Sequence, residues 1–377
     1  MLMREYKLIL VAGARPNFMK IAPIIRAIKG ERLKNKEGKG LSYKLVHTGQ
    51  HYDYEMSQAF FDDLEIPKPD YFLEAGSGSH AEQTARIMTS FEKVCEREMP
   101  DVVMVVGDVN STLACSIVAK KLLIKVAHVE AGLRSFDLTM PEEINRMVTD
   151  AITDYFFVTE QSAVDNLRKE GKPDNRIHFV GHVMIDNLLY QLKKLETVDL
   201  TGFKHQSLKQ ELDQYLFLTL HRPSNVDNRE TLAGIVSSLN KIAEIIPIIF
   251  PVHPRTTKML KHYDCSLSDK IYQLPPLGFQ ESLYFWKDAR LVMTDSGGLQ
   301  EETTALGVPC LTLRDNTERP VTCEIGTNRL VGNNPQNIMA GFDKVMNWGW
   351  EKGELPPKWD GKAAGRIVRI LADEMVK

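Results

Sequence analysis

The chain has 377 residues, 43% of them hydrophobic and 26% charged, and its 47 Lys and Arg against 50 Asp and Glu leave a formal net charge of −3. That length suggests roughly two domains of ordinary globular composition, and the charge excludes a general nucleic-acid binder, which needs a basic surface. The opening MLMREYKLILVAG has too short an apolar run for a signal peptide, no segment approaches a membrane span, and Cys95, Cys115, Cys265, Cys310 and Cys323 form no CxxC pair, so the expected setting is a reducing cytoplasm.

The first predicted strand is Lys7–Val11, followed by GARP and a helix over Phe18–Lys29. Lys34–Gly40 reads as an exposed turn, Tyr43–Val46 as a strand running into HTGQH, and the region near Glu55–Leu64 as a helix. After the PKPD turn comes a long helix, Ala81–Glu98, ended by Pro100. Asp101–Val106 is an almost continuous apolar run, as in a strand buried on both faces. GDVNST then opens a helix over Leu113–Leu122. Strand Val126–Val129 leads through Glu130 and Gly132 to a helix that Pro141 starts, because its fixed φ suits the first helical position. Strand Tyr155–Val158, helix Glu160–Glu170, strand Ile177–Val180 and helix Met184–Leu195 complete the first half.

After a polar stretch to about Lys209 the alternation resumes. Strands are predicted at Leu216–Leu220, Ile248–Val252, Ile271–Leu274, Leu291–Thr294 and CLTLR. Helices are predicted at Glu230–Ile245, Thr256–His262, Gln280–Lys287, GGLQEETTALG and Gln336–Trp348. The linker WEKGELPPKWDG then leads to a last helix, Ala363–Val376. Repeated βα units mean parallel sheets with helices on both faces, and ligands of such sheets sit at the carboxyl ends of the strands. GARP, GD, HVEAG, LHRP, PVHP, TDSGG and LRDNTERP all fall at those ends.

HVEAGLRSFDLTMPEEINR, His128–Arg146, gathers charge into one strand-to-helix passage. Glu142 and Glu143 lie in the first turn of its helix, where the dipole favours carboxylates, and Arg146 shares a face with Glu142 one turn on. Alone, PEExxR is an ordinary capped helix with a surface ion pair; Glu130 at the strand end makes it a candidate site. In TDSGGLQEE, Ser296, Gly297 and Gly298 leave a strand for a helix, whose free N–H groups can bind phosphate, although a plain tight turn reads the same way. Without GxGxxG or a P-loop, the commoner nucleotide motifs do not apply. Glu302, one turn inside, could accept from ribose hydroxyls or face solvent. Arg15 and Lys20 in GARPNFMK suit a diphosphate, or are simply solvated cations, and Arg319 is a third cation of this kind. His221 and His253 end two equivalent strands. His47 and His51 in HTGQH lack the glutamate of HExxH, so no metal site is expected. No GxSxG elbow or Cys-His signature indicates a hydrolase.

Taken in order, GARPNFMKIAP, GDVNST, HVEAGLRS, MPEEINR, LHRP, PVHP, TDSGGLQEE and RDNTERP resemble the non-hydrolysing UDP-N-acetylglucosamine 2-epimerase family from about Lys7 to Arg329. The resemblance implies a GT-B-like α/β fold: two Rossmann-like domains, residues 1–181 with 362–377 and residues 182–361, their parallel sheets facing a central cleft. It implies a cytoplasmic homodimer with a UDP-sugar substrate, no cofactor and no metal. The implied reaction is epimerisation at C2 of UDP-GlcNAc through elimination of UDP, enzyme-bound 2-acetamidoglucal and re-addition. Residue by residue, Arg15, Ser296, Gly297, Gly298, Glu302, Arg319, Leu277 and His253 match the UDP contacts. Lys20, Asp108, Glu130, Glu142, Arg146 and His221 match the polar catalytic set, with Asp108 and Glu130 expected to share the acid/base work and Glu142, held by Arg146, as a third carboxylate. Where bacterial members read QHRxM, this chain keeps Gln50 and His51 but has Tyr52 and Asp53, so activation by a second substrate molecule is not carried over. The loop from Arg134 to Pro141 is also shorter. A UDP-diacetamido-uronic acid epimerase and a GT-B glycosyltransferase are the alternatives.

Overall fold

The structure, a computed structural model, describes residues 6–34, 41–49, 61, 64–348 and 353–374. The expected turn at 35–40, most of the expected helix at 55–64 and the segment from Gln50 to Phe60 lie outside the described residues. Two compact units are formed, Met1–Leu189 with Pro357–Lys377, and Tyr190–Pro356.

In the first unit the elements are β1 (Tyr6–Ala12), α1 (Arg15–Lys34), β2 (Leu41–His47), β3 (Tyr71–Phe72), α2 (His80–Glu98), β4 (Val102–Val106), α3 (Asn110–Lys121), β5 (Lys125–Val129), α4 (Pro141–Ile152), β6 (Tyr155–Val158), α5 (Gln161–Lys169), β7 (Ile177–Phe179) and the start of α6 (Val183–Leu195), a helix the unit boundary after Leu189 divides. The strands form one parallel sheet ordered β3-β2-β1-β4-β5-β6-β7. Alternate residues of its strands serve two cores, because successive side chains point to opposite faces. Leu8, Leu10, Val102, Met104 and Val106 meet Phe18, Ile21, Ile24, Ile25 and Ile28 of α1. Ile9, Val11, Val103 and Val105 meet Ile87 and Phe91 of α2 and Cys115 and Val118 of α3.

The second unit contains α7 (Gln206–Glu211), β8 (Leu216–Thr219), α8 (Pro223–Val226), α9 (Arg229–Ile245), β9 (Ile248–Pro251), α10 (Pro254–His262), β10 (Ile271–Leu274), α11 (Phe279–Trp286), β11 (Leu291–Thr294), α12 (Gly297–Leu306), β12 (Cys310–Thr312), α13 (Pro320–Glu324), β13 (Asn328–Leu330) and α14 (Pro335–Trp348). Its sheet is also parallel, ordered β10-β9-β8-β11-β12-β13. Leu216, Leu218, Ile248, Phe250, Leu291 and Met293 pack with Leu232, Ile235, Leu239 and Ile242 of α9 and with Phe342 of α14.

The chain then returns to the first unit as α15 (Ala363–Glu374), whose Ile367, Val368 and Leu371 join the α1 core. Asp186 of α6 accepts the first N–H groups of α15, from Ala363 at 3.1 Å and Ala364 at 2.7 Å. The compact units divide later than residue 181 and earlier than residue 362. Val183 of α6 sits in the α1 core, and Lys358 donates to the Phe179 carbonyl, so both stretches are held by the first unit. In each sheet the order reverses beside its first strand, between β1 and β4 and between β8 and β11. Ligands of open parallel sheets bind outside the strand ends at such reversals.

Candidate active site

At the first reversal, β1 runs into Gly13, where no side chain fits: a Cβ would stand 2.1 Å from the Ser111 hydroxyl. The Asn17 carbonyl oxygen accepts from the Gly13 and Ala14 N–H groups at 3.1 and 2.9 Å, and its amide donates to the Val106 carbonyl at 3.0 Å. This one side chain caps the start of α1 and ties it to the end of β4. In the sequence Asn17 stands out only as part of GARPN; an Asn that bonds back to its own turn is the signal for it. Arg15 is the first residue of α1. Lys20, five residues along, is buried, and its ammonium would stand 3.1 Å from a Cβ at Gly107, whose φ of +69° also favours glycine.

Three groups from separate elements converge there. Arg146 of α4 donates to Asp108 Oδ2 at 2.5 Å and lies 3.5 Å from Glu130 Oε1. The second Glu130 oxygen pairs with the Lys20 ammonium. Glu130 is 1% exposed, and its φ of +71° is the left-handed conformation that a non-glycine residue adopts only when its surroundings fix it. Here the Glu130 and Ala131 N–H groups both donate to the Phe157 carbonyl, which holds the turn. The Asp108 side chain keeps 27% of its exposure, so it is the more accessible of the two carboxylates. Two carboxylates on one guanidinium, with a lysine behind, make a preorganised polar cluster that suits proton transfer.

The expected pairing of Glu142 with Arg146 does not form. Arg146 is 5% exposed and turns inward to Asp108 and Glu130, whereas Glu142 stands on the exposed side of the first turn of α4. Buried carboxylates offer a stronger field than one in water. Glu143, which the helix pattern places in the same first turn but not in the catalytic set, is the inward glutamate: it accepts from the Ser135 N–H at 2.8 Å, the Ser135 hydroxyl at 3.0 Å and the Phe136 N–H at 3.1 Å. It therefore holds the loop ahead of α4. Asn145 donates to the Asp108 carbonyl at 2.9 Å and to Asn110 at 3.1 Å.

In the second unit, His221 lies two residues past the end of β8 and Asp295 directly follows β11. The His221 Nδ1 lies 2.7 Å from Asp295 Oδ1, while Asp295 Oδ2 accepts from the His221 and Arg222 N–H groups at 2.9 and 2.8 Å and from Asn225 at 3.2 Å. Burial pushes the Asp295 carboxyl up, but His221 and these N–H groups bring it below the ordinary range. Asp295 thus sets the His221 tautomer and leaves Nε2 for a ligand. Within TDSGG it carries no motif of its own; a carboxylate at a strand end beside a strand-end histidine is the pattern that identifies it. The His221 and His253 rings lie 5.7 Å apart. His253 Nδ1 accepts from the Arg255 N–H, capping α10, and burial followed by His221 lowers its pKa.

Ser296 caps α12 by position, and its hydroxyl makes no capping bond. Gly297 and Gly298 begin the helix with no acidic residue in its first turn, which leaves a positive helix end suited to an anion. Glu302 is buried in the same helix, and burial, then the charge of Glu301, pushes its carboxyl up to about 8. Arg319 precedes α13 and pairs with Glu301 at 2.6 Å. Leu277 is half-buried in the loop after β10. The His47 ring is buried and accepts from the Gly49 N–H at 2.8 Å; His51 lies outside the described residues.

The UDP-N-acetylglucosamine 2-epimerase family model matches residues 33–372. A UDP-N-acetylglucosamine 2-epimerase of Methanocaldococcus jannaschii is 45% identical over 97% of this chain and 98% of its own length. The solved structure of the enzyme of that organism in complex with UDP-GlcNAc and UDP aligns over 97% of this chain and 99% of its own, with 44% identity and a TM-score of 0.83. A UDP-2,3-diacetamido-2,3-dideoxy-D-glucuronate 2-epimerase of Pseudomonas aeruginosa is 40% identical over 97% of this chain and 99% of its length.

Proposed function

The chain belongs to the UDP-N-acetylglucosamine 2-epimerase family, and from that premise we propose that it interconverts UDP-GlcNAc and UDP-ManNAc by elimination and re-addition of UDP. The C2–H of the sugar is not next to a carbonyl, so simple proton removal is very hard. Elimination avoids that problem. A carboxylate takes the C2 proton, the C–H electron pair becomes the C1–C2 double bond, and the C1–O bond breaks with its electrons leaving on the UDP diphosphate. Re-addition of UDP at C1, with a proton delivered to the other face of C2, completes the inversion.

The observation that carries this reading is the pair of carboxylates, Asp108 and Glu130, held by one guanidinium at the reversal of the first sheet. Asp108 and Glu130 share the acid/base work, with Glu142 as a third carboxylate and Lys20 and Arg146 orienting them. At the reversal of the second sheet, the start of α12 at Ser296, Gly297 and Gly298 takes the diphosphate, and His221 steadies the departing phosphate; in the first unit, Arg15 is the UDP contact that the family resemblance implies. Glu302 takes the ribose, with Leu277, His253 and Arg319 as further UDP contacts.

Incubation with UDP-GlcNAc in deuterated water tests the reaction: deuterium enters C2 and UDP-ManNAc forms without an acceptor. Acceptor-dependent UDP release with no deuterium at C2 would make the protein a glycosyltransferase instead. The Pseudomonas aeruginosa relative supports a second substrate, a UDP-diacetamido-uronic acid. A higher kcat/KM for that sugar than for UDP-GlcNAc would establish it.

A homodimer is supported by Ile144, Met147 and Val148, which share one face of α4 and are exposed. Light scattering at twice the chain mass is the expected result. The free cysteines support a reducing cytoplasmic setting. Among the described residues, no helix is long and apolar enough to cross a membrane.

A further inference from the structure

His128 is fully buried in β5, two residues ahead of Glu130, and no step above uses it. Its Nδ1 lies 2.7 Å from Asp150 Oδ1 and its Nε2 2.8 Å from the Gly107 carbonyl oxygen. A carbonyl can only accept, and so can an ionised carboxylate. A neutral imidazole has a single N–H and satisfies one such neighbour, not two. Asp150 is itself held as a carboxylate, since its other oxygen accepts from the Gly132 N–H at 3.0 Å and pairs with the Arg134 guanidinium at 2.7 Å. Its burial raises the carboxyl pKa, but His128 and Arg134 together bring it below the ordinary range.

We propose that His128 is a buried imidazolium, carrying both ring protons, and that its pair with Asp150 positions Asp108 and Glu130 for proton transfer. The pair joins the elements that carry the carboxylate cluster. Gly107 directly precedes Asp108. His128 shares β5 with the approach to Glu130. Asp150 lies one turn beyond Arg146 on α4. The Gly107 N–H also donates to the Val129 carbonyl at 3.0 Å, so the ends of β4 and β5 are bound by backbone and by ring. The charged groups around the pair are Lys20 from α1, Asp108 after β4, Glu130 and Arg134 after β5, Arg146 from α4, and Glu170 after α5, which takes Arg134 at 2.8 Å.

The positioning role rests on the acid/base reading of Asp108 and Glu130, whereas the protonation state does not, so two measurements separate them. In the full chain labelled with ring-15N histidine, His128 is assigned by its loss in His128→Gln. Both of its nitrogens are expected to carry protons under the conditions of the activity assay, as two acceptor partners require. One unprotonated nitrogen there overturns the imidazolium.

The second measurement is C2 deuterium incorporation as a function of pH. Each single variant should lower kcat about 10- to 100-fold, the cost of displacing reacting groups by a fraction of an ångström, and leave KM within about threefold. His128→Gln removes a positive charge and should move the acid limb of kcat to higher pH. Asp150→Asn removes a negative charge and should move it to lower pH. Losses with an unmoved limb would mean a purely structural pair and overturn the positioning role. If the single variants do not fold, the double variant His128→Gln/Asp150→Asn, whose amide pair keeps a hydrogen bond without the charges, should fold with kcat lowered about 10- to 100-fold and KM within about threefold. Wild-type kcat in the double variant overturns the role. No deuterium incorporation by the wild-type chain would defeat the acid/base reading and the positioning role together, leaving the protonation state to the nitrogen spectra.

Discussion

Arg146 satisfies two carboxylates from two strand ends, and at 5% exposure it has no water to replace them. Removing one member of a buried charge cluster strands the others, at a cost of about 3–5 kcal/mol. Arg146→Met should therefore lower thermal stability and cut C2 deuterium incorporation on the order of 10²–10⁴-fold, the range of a lost acid/base group. Arg146→Lys, a point charge without the fork, should fall between the two. Near-normal turnover in Arg146→Met would remove the cluster from the mechanism. Glu302 makes a different prediction. Its carboxyl is raised from an ordinary 4.5 to about 8 by burial and then by Glu301. Between those two values the unfolded chain has released this proton while the folded chain keeps it. Stability from this group is thus full below the lower value and falls as pH rises toward the upper one, by about 1.4 kcal/mol per pH unit. The melting temperature of the ligand-free protein should drop over that window, and Glu302→Gln should flatten the drop. Parallel profiles would show that Glu302 does not titrate there.

The start of α12 works as an element, because its positive end comes from aligned peptide groups and the glycines that expose them. Ser296→Asp would place a carboxylate where the UDP diphosphate is proposed to sit. It should raise KM for UDP-GlcNAc by about tenfold or more while stabilising the free helix by about 0.5–1 kcal/mol. A lower melting temperature, or an unchanged KM, would move the diphosphate elsewhere. The strand to which this helix is joined was legible in the sequence, as was DVVMVV of β4, since a run buried on both faces is apolar throughout. Tyr71–Phe72 of β3 and Asn328–Leu330 of β13 were not legible, because two or three residues carry no period and only pairing with β2 and β12 makes them strands. The helices Pro223–Val226 and Pro320–Glu324 were missed for the same reason. The positions of the site residues at strand ends could be read from the alternation alone. Their partners could not: that Arg146 turns to Asp108 and Glu130, and that Asp295 holds His221, depends on which strands are neighbours.

At the scale of the molecule, the first unit is discontinuous, and its last piece is a helix that the sequence separates from the rest by the whole second unit. The apolar face of α15 places Ile367, Val368 and Leu371 in the α1 core, each at most 2% exposed. Burying a side chain of this size stabilises by about 1.5–3 kcal/mol, so the three together account for roughly 5–9 kcal/mol. That is comparable to the whole stability of an ordinary domain. The cap adds to it, since Asp186 would lose both N–H donors of α15. Deleting residues 357–377 should therefore unfold the first unit at ambient temperature, whereas the second unit, whose core of Leu216, Phe250, Met293 and Phe342 takes nothing from α15, should keep a cooperative transition. Calorimetry of the truncated chain should show one transition with a reduced enthalpy, and amide exchange should show β1 and β4 unprotected while β8 and β11 stay protected. Protection in β1 and β4 after truncation would mean that the sheet and α1 suffice, and that α15 only covers them.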